Sequence, residues 1–391
     1  MSFSVIDIGT VTEVIAGQSP PSATYNQNRE GLPFYQGKAD FGEWHPVTRM
    51  WCNGPLKIAI PGDVLISVRA PVGPTNLASE RCCIGRGLSA LRPNRDRLDS
   101  RYLIHFLRFH EAILSGMGRG STFSSITQKD LREIPIPLPH KNGNPDVHEQ
   151  QRIAAILDKA DAIRRKRQQA LRLTDNFLRS VFIHLFGDPV TNPKGWEIRD
   201  LHYVIGNSFR NGLSPSSKGT VAGKVLTLTA ITTGSFSPEY AREAFFDRAP
   251  SENQLVTANT FLICRGNGNK SMVGIGVFPE ADMAHVAFPD TMIACTVDRD
   301  LIEPDYLQNL WSTAHIRTQI EAGARTTNGT YKVNQTLLGS IAFPLPPVSL
   351  QKDFSKIAKS LRSKAQKSAL ATESSEDLFA SLQQRAFRGE L

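Results

Sequence analysis

Residues 148–189 read HEQQRIAAILDKADAIRRKRQQALRLTDNFLRSVFIHLFGDP. Apolar side chains recur along this stretch at helical spacing, in places close to a heptad, at Ile153, Ile156, Leu157, Ala160, Ile163, Ala170, Leu171, Leu173, Phe177, Leu178 and Val181. Gly187 ends the pattern, and Pro189 and Pro193 prevent its resumption. The stretch therefore predicts one basic helix, roughly 50–60 Å long at a rise of about 1.5 Å per residue, that lies well inside the chain.

A second helix of the same kind ends the chain. Its apolar residues are Phe354, Ile357, Ala358, Leu361, Ala365, Ala369, Leu370, Leu378, Phe379 and Leu382. An apolar stripe is unstable in water, and each helix is too long for one small globule to cover. We therefore expect the two helices to pack antiparallel as a coiled coil, with the rest of the chain held at the opposite ends of this rod.

The two halves of the chain are a degenerate tandem repeat. Residues 126–157 and 332–361 each contain a polar turn, a Pro-Leu-Pro strand end and a Gln-bearing helix start, so that Ile134, Pro137 and Pro139 match Ile341, Pro344 and Pro346. Three further pairs of segments match in the same order, namely PGDVLISVRAPVG (61–73) with ANTFLICRGNGN (258–269), LDSRYLIHFLRF (98–109) with IEPDYLQNLWST (302–313), and LRSVFIHLFGD (178–188) with FASLQQRAFRGE (379–390). Four matches in one order indicate a true repeat.

Each half therefore consists of a globule followed by a long helix. Short apolar runs such as VLISV and NTFLIC, separated by Gly, Pro and Asn clusters, predict strands and turns inside the globules. The expected fold class is α+β, with two strand-rich globules and a long antiparallel helical pair in a pseudo-two-fold tandem repeat. The expected boundaries are 1–146 for the first globule, 147–187 for the central helix, 188–348 for the second globule and 349–391 for the C-terminal helix.

The composition indicates a soluble, basic protein. The chain has 391 residues, 40% of them hydrophobic, and a formal net charge of +8, which favours an anionic partner such as nucleic acid. It contains no run of 18 apolar residues and no secretory signal pattern, so we expect no membrane partner. The five cysteines, with no C-x-x-C, favour a reducing cytoplasm.

Motifs for catalysis are missing from the sequence. An adenine methyltransferase needs an Asn/Asp-Pro-Pro-aromatic loop. The nearest string, FPLPPV (343–348), has no Asn or Asp before its Pro-Pro pair and no aromatic residue after it. GNGNKS (266–271) does not fit the phosphate-loop pattern, no G-x-S-x-G elbow occurs, and the nine histidines form no H-x-x-x-H pair. We therefore expect no catalytic residue and no metal site, and a role in recognition or assembly in preference to a cryptic enzyme.

The order globule, long helix, globule, long helix resembles the DNA-specificity (S) subunit of type I restriction-modification systems. The segments that carry the resemblance are the Pro-Leu-Pro before each helix, LFGDPVTNPKGWEIRDL (185–201) between the halves and AFRGEL (386–391) at the end. It covers essentially the whole chain. The second half departs from the first in detail, since Lys332 and Val333 replace Ile126 and Thr127.

The resemblance implies a role in phage defence without catalysis. Each globule would be a target recognition domain that reads one half of a bipartite, asymmetric site in double-stranded DNA. The helices would be conserved spacer regions that bind two methyltransferase (M) subunits, with restriction/translocation (R) subunits completing the complex. The chain itself would carry no cofactor, because S-adenosylmethionine, ATP and Mg would bind to the partner subunits. The alternative is a stand-alone two-headed DNA-binding protein with a regulatory or architectural role.

Candidate DNA-binding residues lie in loops that follow strands. In the first half they are Arg69, Arg86, Arg119, Ser121, Thr122, Ser124, Ser125 and Lys129. In the second half they are Arg265, Asn267, Asn269, Lys270, Arg325, Thr326, Thr327, Asn328, Tyr331 and Lys332. Arginine can form a bidentate contact with guanine and asparagine with adenine, although any single residue here is also typical of an ordinary polar loop.

The densest basic run is IRRKRQQALR (163–172) in the central helix. Residues 152–172 contain seven Lys and Arg against two Asp. This run is typical of a solvated helix face, and it could alternatively contact phosphates of a DNA duplex that lies along the rod.

Overall fold

The computed structural model describes residues 2–117, 125–327 and 329–391, apart from the side chains of residues 327, 366, 367 and 369–374. The chain divides into two compact units. The first unit comprises Met1–Gln169 and Ala369–Leu391, and the second comprises Ala170–Ser368. Each unit therefore contains one globule and one end of each long helix.

The first unit contains the first long helix, α4, preceded by strands and three short helices. The strands are β1 (Ser2–Asp7), β2 (Thr12–Ala16), β3 (Tyr25–Asn26), β4 (Leu32–Tyr35), β5 (Trp51–Cys52), β6 (Ile58–Ala59), β7 (Val64–Ser67), β8 (Thr75–Leu77), β9 (Cys82–Ile84), β10 (Leu88–Pro93), β11 (Pro135–Lys141) and β12 (Asn144–Pro145). The helices are α1 (Ser100–Phe109), α2 (Glu111–Met117), α3 (Gln128–Arg132) and α4 (Val147–Phe186), whose C-terminal part belongs to the second unit.

Three sheets form the first globule. An antiparallel sheet has the order β2-β10-β7-β8, and its inner strands β7 and β10 are buried almost throughout. A mixed sheet has the order β3-β5-β4-β9-β6, in which β4 and β9 are parallel. A third sheet, β1-β11-β12, brings the N-terminus of the chain beside the Pro-Leu-Pro strand that leads into α4.

The second unit is built from a corresponding set of elements. Its strands are β13 (Glu197–Asp200), β14 (Arg210–Asn211), β15 (Val221–Leu226), β16 (Ala241–Phe246), β17 (Leu255–Val256), β18 (Thr260–Cys264), β19 (Gly266–Asn267), β20 (Gly276–Val277), β21 (Met283–Ala287), β22 (Met292–Thr296), β23 (Arg325–Thr327), β24 (Thr330–Lys332) and β25 (Ala342–Leu345). The helices are α5 (Leu201–Ile205), α6 (Thr229–Thr232), α7 (Pro304–Trp311), α8 (Ala314–Gly323), α9 (Gln335–Gly339) and α10 (Val348–Arg388).

Two sheets of the first unit recur in the second. The antiparallel sheet reappears as β14-β22-β18-β20. The mixed sheet reappears as the four strands β16-β15-β21-β17, with β15 and β21 parallel and with no counterpart of β3 among the described residues. The pair β13-β25 takes the place of β1-β11. The predicted α+β tandem repeat with two long helices is therefore confirmed.

A buried tyrosine joins the globule to its Pro-Leu-Pro strand in both units. The hydroxyl of Tyr102 donates to the carbonyl oxygen of Pro137 at 2.6 Å, and the hydroxyl of Tyr306 donates to that of Pro344 at the same distance. Burial raises the pKa of both phenols, so each remains a neutral donor. The match of Pro137 with Pro344 in the sequence thus reflects an identical hydrogen bond.

A buried glutamine joins each globule to the start of the following helix. The side-chain oxygen of Gln150 accepts the backbone N–H of Asp99 at 2.9 Å, and that of Gln351 accepts the N–H of Glu303 at 2.8 Å. Asp99 and Glu303 are the residues directly before α1 and α7. Both glutamines are fully buried, which makes these bonds costly to remove.

The helix ends are packed into the cores of the globules. In the first unit Ile153 and Leu157 of α4 and Phe387 of α10 belong to the globule's apolar core. In the second unit Phe182 of α4 and Phe354 of α10 do so, with ring centroids 5.5 Å apart. These contacts explain why the helix segments remain attached to their globules.

The helix segments of the first unit run antiparallel. The guanidinium of Arg164 lies 5.3 Å from the ring centre of Phe379, and the side-chain amide of Gln168 donates to Glu376 at 2.7 Å. Residue numbers therefore increase along α4 in the direction in which they decrease along α10. The end of α4 is as predicted, because Gly187 follows it with a φ of 82°, and a Cβ there would lie 2.8 Å from Cγ of Pro193.

The prediction that the two apolar stripes bury each other is wrong for several residues. The side chains of Ile163, Leu173 and Phe177 on α4 are 51%, 59% and 55% exposed, and Leu378 on α10 is 57% exposed. Contact with one other helix covers only a narrow seam, so the flanks of a broader stripe stay in solvent.

Within the described part of the chain, none of the helices combines the length and the apolar character that crossing a membrane would need.

Candidate nucleic-acid interface

Three predicted loop segments of the first unit meet at Val68. Its backbone N–H donates to the carbonyl oxygen of Gly87 at 2.9 Å, and its carbonyl oxygen accepts the N–H of Ile126 at 3.1 Å. The next residue, Arg69, forms an isolated β-bridge with Ser125. The structure therefore brings the loop after β7, the turn before β10 and the segment before α3 to one place.

The two arginines of this cluster are presented on closed turns. The loop that carries Arg69 is closed by a hydrogen bond of 3.0 Å from the N–H of Gly73 to the carbonyl oxygen of Ser67. The backbone N–H of Arg86 donates to the hydroxyl of Ser19 at 3.3 Å. Both arginines are exposed, and neither pairs with a carboxylate in the described ranges. Their guanidinium groups are therefore available to an external acceptor.

Lys129 lies apart from the two arginines, on α3. Thr127 and Asp130 form a capping box at the start of this helix, and the ammonium of Lys129 lies 3.8 Å from the carboxylate of Glu133. Both members of this ion pair are exposed, so the pair contributes little to stability and leaves the lysine accessible.

Several predicted residues cannot be placed. Arg119, Ser121, Thr122, Ser124 and Asn328 lie outside the described residues. Thr327 is described only by its backbone, as the last residue of β23.

The second unit builds a hairpin at the corresponding position. Strand β24 lies between β19 and β23, so that Asn267 faces Tyr331, and Arg325 faces Lys332. The backbone of Arg265 takes the place of Val68, because its N–H donates to Thr291 and its carbonyl oxygen accepts the N–H of Val333, both at 2.9 Å.

The predicted alignment of the two halves is wrong by one residue at this point. Val333 is the counterpart of Ile126. The N–H of Ile126 donates to Val68, the N–H of Val333 donates to Arg265, and each of the two donors is buried in the core of its unit. Lys332 therefore corresponds to Ser125. The residues that follow, Thr127 and Asn334, both cap a short helix with their side chains. Burial of Ile126 and Val333 sets the register, which similarity of residue type did not reveal.

The side chains of the second loop cluster divide into two groups. The amide oxygens of Asn267 and Asn269 accept backbone N–H groups within their own turn, at 2.9 and 3.0 Å. Arg265 donates to the carbonyl oxygen of Asp290 at 3.3 Å, and Tyr331 packs against the core. These four residues therefore shape the site.

The remaining members of the second cluster are free to act outward. These members are Lys270, Arg325, Thr326 and Lys332. Their side chains are exposed and have no partner within the residues that the structure describes. Three of these four are cations, so the hairpin presents positive charge to solvent.

The basic run of α4 is partly used inside the first unit. Arg164 and Arg165 both pair with the carboxylate of Asp161, at 2.7 and 3.1 Å. Arg165 also pairs with Glu43. These contacts favour a structural role over phosphate contact for the two arginines.

A cluster around Trp44 was not predicted from the sequence. The guanidinium groups of Arg108, Arg101 and Arg165 lie 4.1, 4.6 and 5.4 Å from the centre of its ring. Because these arginines come from α1 and α4, the tryptophan fastens its loop to both helices. A tryptophan in a loop carries no periodic signal, so only the folded contacts identify this cluster.

The cysteine side chains lie inside the two globules. All five are buried and unpaired. Burial raises the pKa of Cys82 and Cys295 to about 12 and that of Cys83 and Cys264 to about 11, so these thiols stay protonated. Across the described ranges, no group of three His, Cys, Asp or Glu side chains is arranged to hold a metal ion.

Comparison with known proteins finds a matching domain and several related chains. Residues 3–173 match a family described as the Type I restriction modification DNA specificity domain. A Methanocaldococcus jannaschii protein named as the specificity subunit of the type I restriction enzyme MjaX is 39% identical over 169 residues, which are 43% of this chain and 39% of that protein. This match thus spans less than half of the archaeal relative.

Two further relatives extend over the whole chain. The specificity subunit of the type I restriction enzyme StySPI from Salmonella potsdam is 23% identical over 428 residues, covering 100% of this chain and 89% of that protein. The crystal structure of the type I restriction-modification system S subunit from M. genitalium covers 99% of this chain and 96% of its own, with a TM-score of 0.61 and 15% identity, and so has the same fold. By its repeated globule-and-helix architecture and by these matches, the chain is similar to type I restriction-modification specificity subunits, and its residues 3–173 match their DNA specificity domain.

Proposed function

We propose that this chain is the non-catalytic subunit that selects the DNA site of a type I restriction-modification complex, and that it reads a bipartite, asymmetric site. The observation that carries the proposal is the pair of equivalent loop clusters. One scaffold presents Arg69 and Arg86 in the first unit, and Arg325 and Lys332 in the second. Two scaffolds of one fold with different exposed side chains suit two half-sites of different sequence.

The exposed side chains fit the chemistry of DNA recognition. The fork of an arginine guanidinium matches O6 and N7 of guanine in the major groove, whereas lysine acts on phosphate as a point charge. The net charge of +8 favours binding to the phosphate backbone. We therefore assign base reading to Arg69, Arg86 and Arg325, and phosphate contacts to Lys129, Lys270 and Lys332.

Partner subunits dock on the helices in this proposal. The exposed apolar side chains of Phe177 and Leu378 support it, because they occupy matching positions directly before the repeated segments that begin at Leu178 and Phe379. An apolar residue kept exposed at the same point of both repeats suits two identical partners, here two methyltransferase subunits. Restriction/translocation subunits complete the complex, and the partners carry S-adenosylmethionine, ATP and Mg.

The domain boundaries of the proposal follow from the repeat. Residues 1–146 and 188–348 are the two target recognition domains. Residues 147–187 and 349–391 are the spacer regions, whose length sets the distance between the half-sites, as dimer spacing does in other DNA-binding proteins.

Adenine methylation mapping tests the proposal. The chain is expressed with the methyltransferase encoded beside it in a host that lacks DNA methylation, and modified adenines are located by sequencing. The expected result is methylation at a bipartite, asymmetric motif, with none when the methyltransferase is expressed alone. Methylation that is unchanged without this chain would contradict the proposal and would favour a stand-alone DNA-binding protein.

A further inference from the structure

The turn between β3 and β4 presents Gln27, Asn28 and Arg29 to solvent. We propose that this turn is a further base-reading element of the first recognition domain, with Arg29 as its main specificity-determining residue. The inference rests on the proposed function and adds a segment that lies far in sequence from the loops already described.

The turn is closed by one side chain and pinned to the sheet by a glycine. The amide of Asn26 donates to the carbonyl oxygen of Glu30 at 2.9 Å, and its oxygen accepts the N–H of Glu30 at 3.0 Å. Gly31 has a φ of 86°, and a Cβ there would lie 2.2 Å from the carbonyl oxygen of Cys52 on β5. The backbone that carries the three intervening side chains is thus held in place before any ligand binds.

Arg29 has a backbone conformation that arginine rarely adopts. Its φ is 65°, in the left-handed region where glycine and asparagine are favoured. Of the three other described non-glycine residues with positive φ, Asn142 and Asn192 are asparagines and His285 is a histidine. Glycine or asparagine would adopt this conformation at lower cost, so the strain of an arginine at position 29 indicates a use for its side chain.

The guanidinium of Arg29 is free within the unit. Its central carbon lies 5.8 Å from the ring centre of Trp51 on β5, and no carboxylate among the described residues pairs with it. The aromatic face supports the cation without occupying its five donors. Gln27, Asn28 and Arg29 are also the residue types that form bidentate contacts with adenine and guanine.

The base of this turn is tied to the loop cluster at Val68. The hydroxyl of Tyr25, the first residue of β3, donates to the carbonyl oxygen of Pro20 at 2.8 Å. The neighbouring Ser19 accepts the backbone N–H of Arg86 through its hydroxyl. The turn and the Arg86 loop therefore share one support, and we place both on the same face for DNA in this proposal.

The test uses two substitutions that remove a left-handed side chain. Arg29→Gly deletes the guanidinium and relieves the backbone, so folding is preserved. Asn142→Gly makes the same backbone change in the β11–β12 hairpin and is the matched control. Each full-length variant is co-expressed with the methyltransferase, and its motif is mapped. The complexes are also titrated with duplexes that carry every base at each position of the first half-site.

Arg29→Gly should relax selection at one position of one half-site by about ten- to a hundredfold, the range expected for loss of one bidentate contact. The other half-site and the motif of Asn142→Gly should not change. Arg29→Lys keeps the charge and loses the fork, so selectivity should fall while affinity at low salt is retained.

An unchanged motif in both Arg29→Gly and Arg29→Lys would overturn the inference and leave the proposed function intact. Uniformly weaker binding with no change of motif would also overturn it, because it would assign Arg29 to a phosphate. If the unmodified chain directs no methylation at all, the proposed function fails, and the inference fails with it.

Discussion

At the scale of single residues, Asp158 connects the first globule to its helix. Its carboxylate accepts a hydrogen bond from the ring Nε2 of His105 at 2.8 Å and lies 3.6 Å from the guanidinium of Arg101. Both of these residues are on α1. Burial alone would raise the pKa of Asp158, but the hydrogen bond from His105 and the charges of Arg101 and Arg108 outweigh it and hold the pKa below its usual range.

This depressed pKa predicts the pH dependence of one substitution. A carboxyl whose folded pKa is lowered adds stability above its unfolded pKa of about 3.9, and that stability disappears as the pH falls through the folded pKa. Asp158→Asn should therefore lower the free energy of unfolding at pH 7 by no more than about 1 kcal/mol, because the carboxylate is partly exposed. Urea unfolding at pH 7 and at pH 3 measures the effect. An equal loss at both values would contradict the assignment.

At the scale of elements, the joint between globule and helix has opposite polarity in the two units. Arg101 on α1 faces Asp158 on α4, whereas Asp305 on α7 pairs with Arg362 and lies 4.0 Å from Lys359 on α10. Arg101 and Asp305 directly precede the matching tyrosines, and Asp158 and Lys359 stand at equal distances from the matching glutamines. The two halves thus use one geometry with exchanged charges.

The exchange predicts unequal costs of charge reversal. Asp305→Arg places a cation against Arg362 at a buried position, so the free energy of unfolding should fall by about 3–5 kcal/mol. Arg101→Asp faces Asp158 at a half-exposed position and should cost only about 1 kcal/mol. The double variant Asp305→Arg/Arg362→Asp should recover part of the loss. Chemical denaturation measures all three, and equal costs for the two single variants would argue against burial as the cause.

We expect substitutions of two phenylalanines on α4 to separate the proposed partner binding from folding. Phe177 is 55% exposed, whereas Phe182 is 4% exposed and packs against Phe354 in the core of the second unit. Phe177→Ser should leave the free energy of unfolding within about 0.5 kcal/mol of the original value and weaken capture of the methyltransferase. Phe182→Ser should cost about 3–5 kcal/mol.

Urea unfolding and co-purification with the methyltransferase read the two effects separately. Leu378→Ser on α10 is the equivalent substitution in the second repeat and should behave like Phe177→Ser. Full recovery of the complex with Phe177→Ser and Leu378→Ser together would exclude this face of the helices as the dock.

At the scale of the whole molecule, one fold occurs twice with different exposed loops. Both units share the order of the antiparallel sheet and of four strands of the mixed sheet, the same tyrosine and glutamine hydrogen bonds, and the same backbone hydrogen bonds at Val68 and Arg265. They differ in the side chains that the loops present and in the polarity of the joint. Because each globule has its own apolar core, exchange of one globule should leave the other folded.

This independence predicts the result of a domain replacement. Residues 1–146 are replaced by the matching segment of another family member that has a basic residue at the position of Arg101. The methylated motif should change in one half-site only. A replacement segment with an acidic residue at the position of Arg101 should give a less stable chain, because that residue would face Asp158. Change in both half-sites, read by methylation mapping, would contradict independent reading.

The fold could be predicted from the sequence to a large extent because its strongest signals are local. The apolar spacing and Gly187 located α4 to within a residue of Val147–Phe186. Turn residues located strands such as β7 and β18. The repeat then doubled each signal, since Pro137 and Pro344 occupy the same place in two copies of one structure.

The site could be predicted only in part, for a physical reason. Loops with arginine and hydroxyl residues were identifiable, but their meeting at Val68 depends on hydrogen bonds between segments distant in sequence. The one-residue error at Ile126 and Val333 arose because burial, not residue type, sets the alignment. The proposal for Arg29 could not come from the sequence, because a left-handed backbone angle cannot be read from a Gln-Asn-Arg tripeptide.

The sequence by itself determined the two long helices, the tandem repeat, the α+β class and the resemblance to specificity subunits, since periodicity, turn chemistry and repetition are properties of contiguous residues. Only the tertiary structure decided which part of each apolar stripe is buried, which arginines are used in internal ion pairs and which remain free. Those outcomes depend on what lies opposite each side chain. Asp161 opposite Arg164 and Arg165, and solvent opposite Phe177, are facts of packing that no local pattern contains.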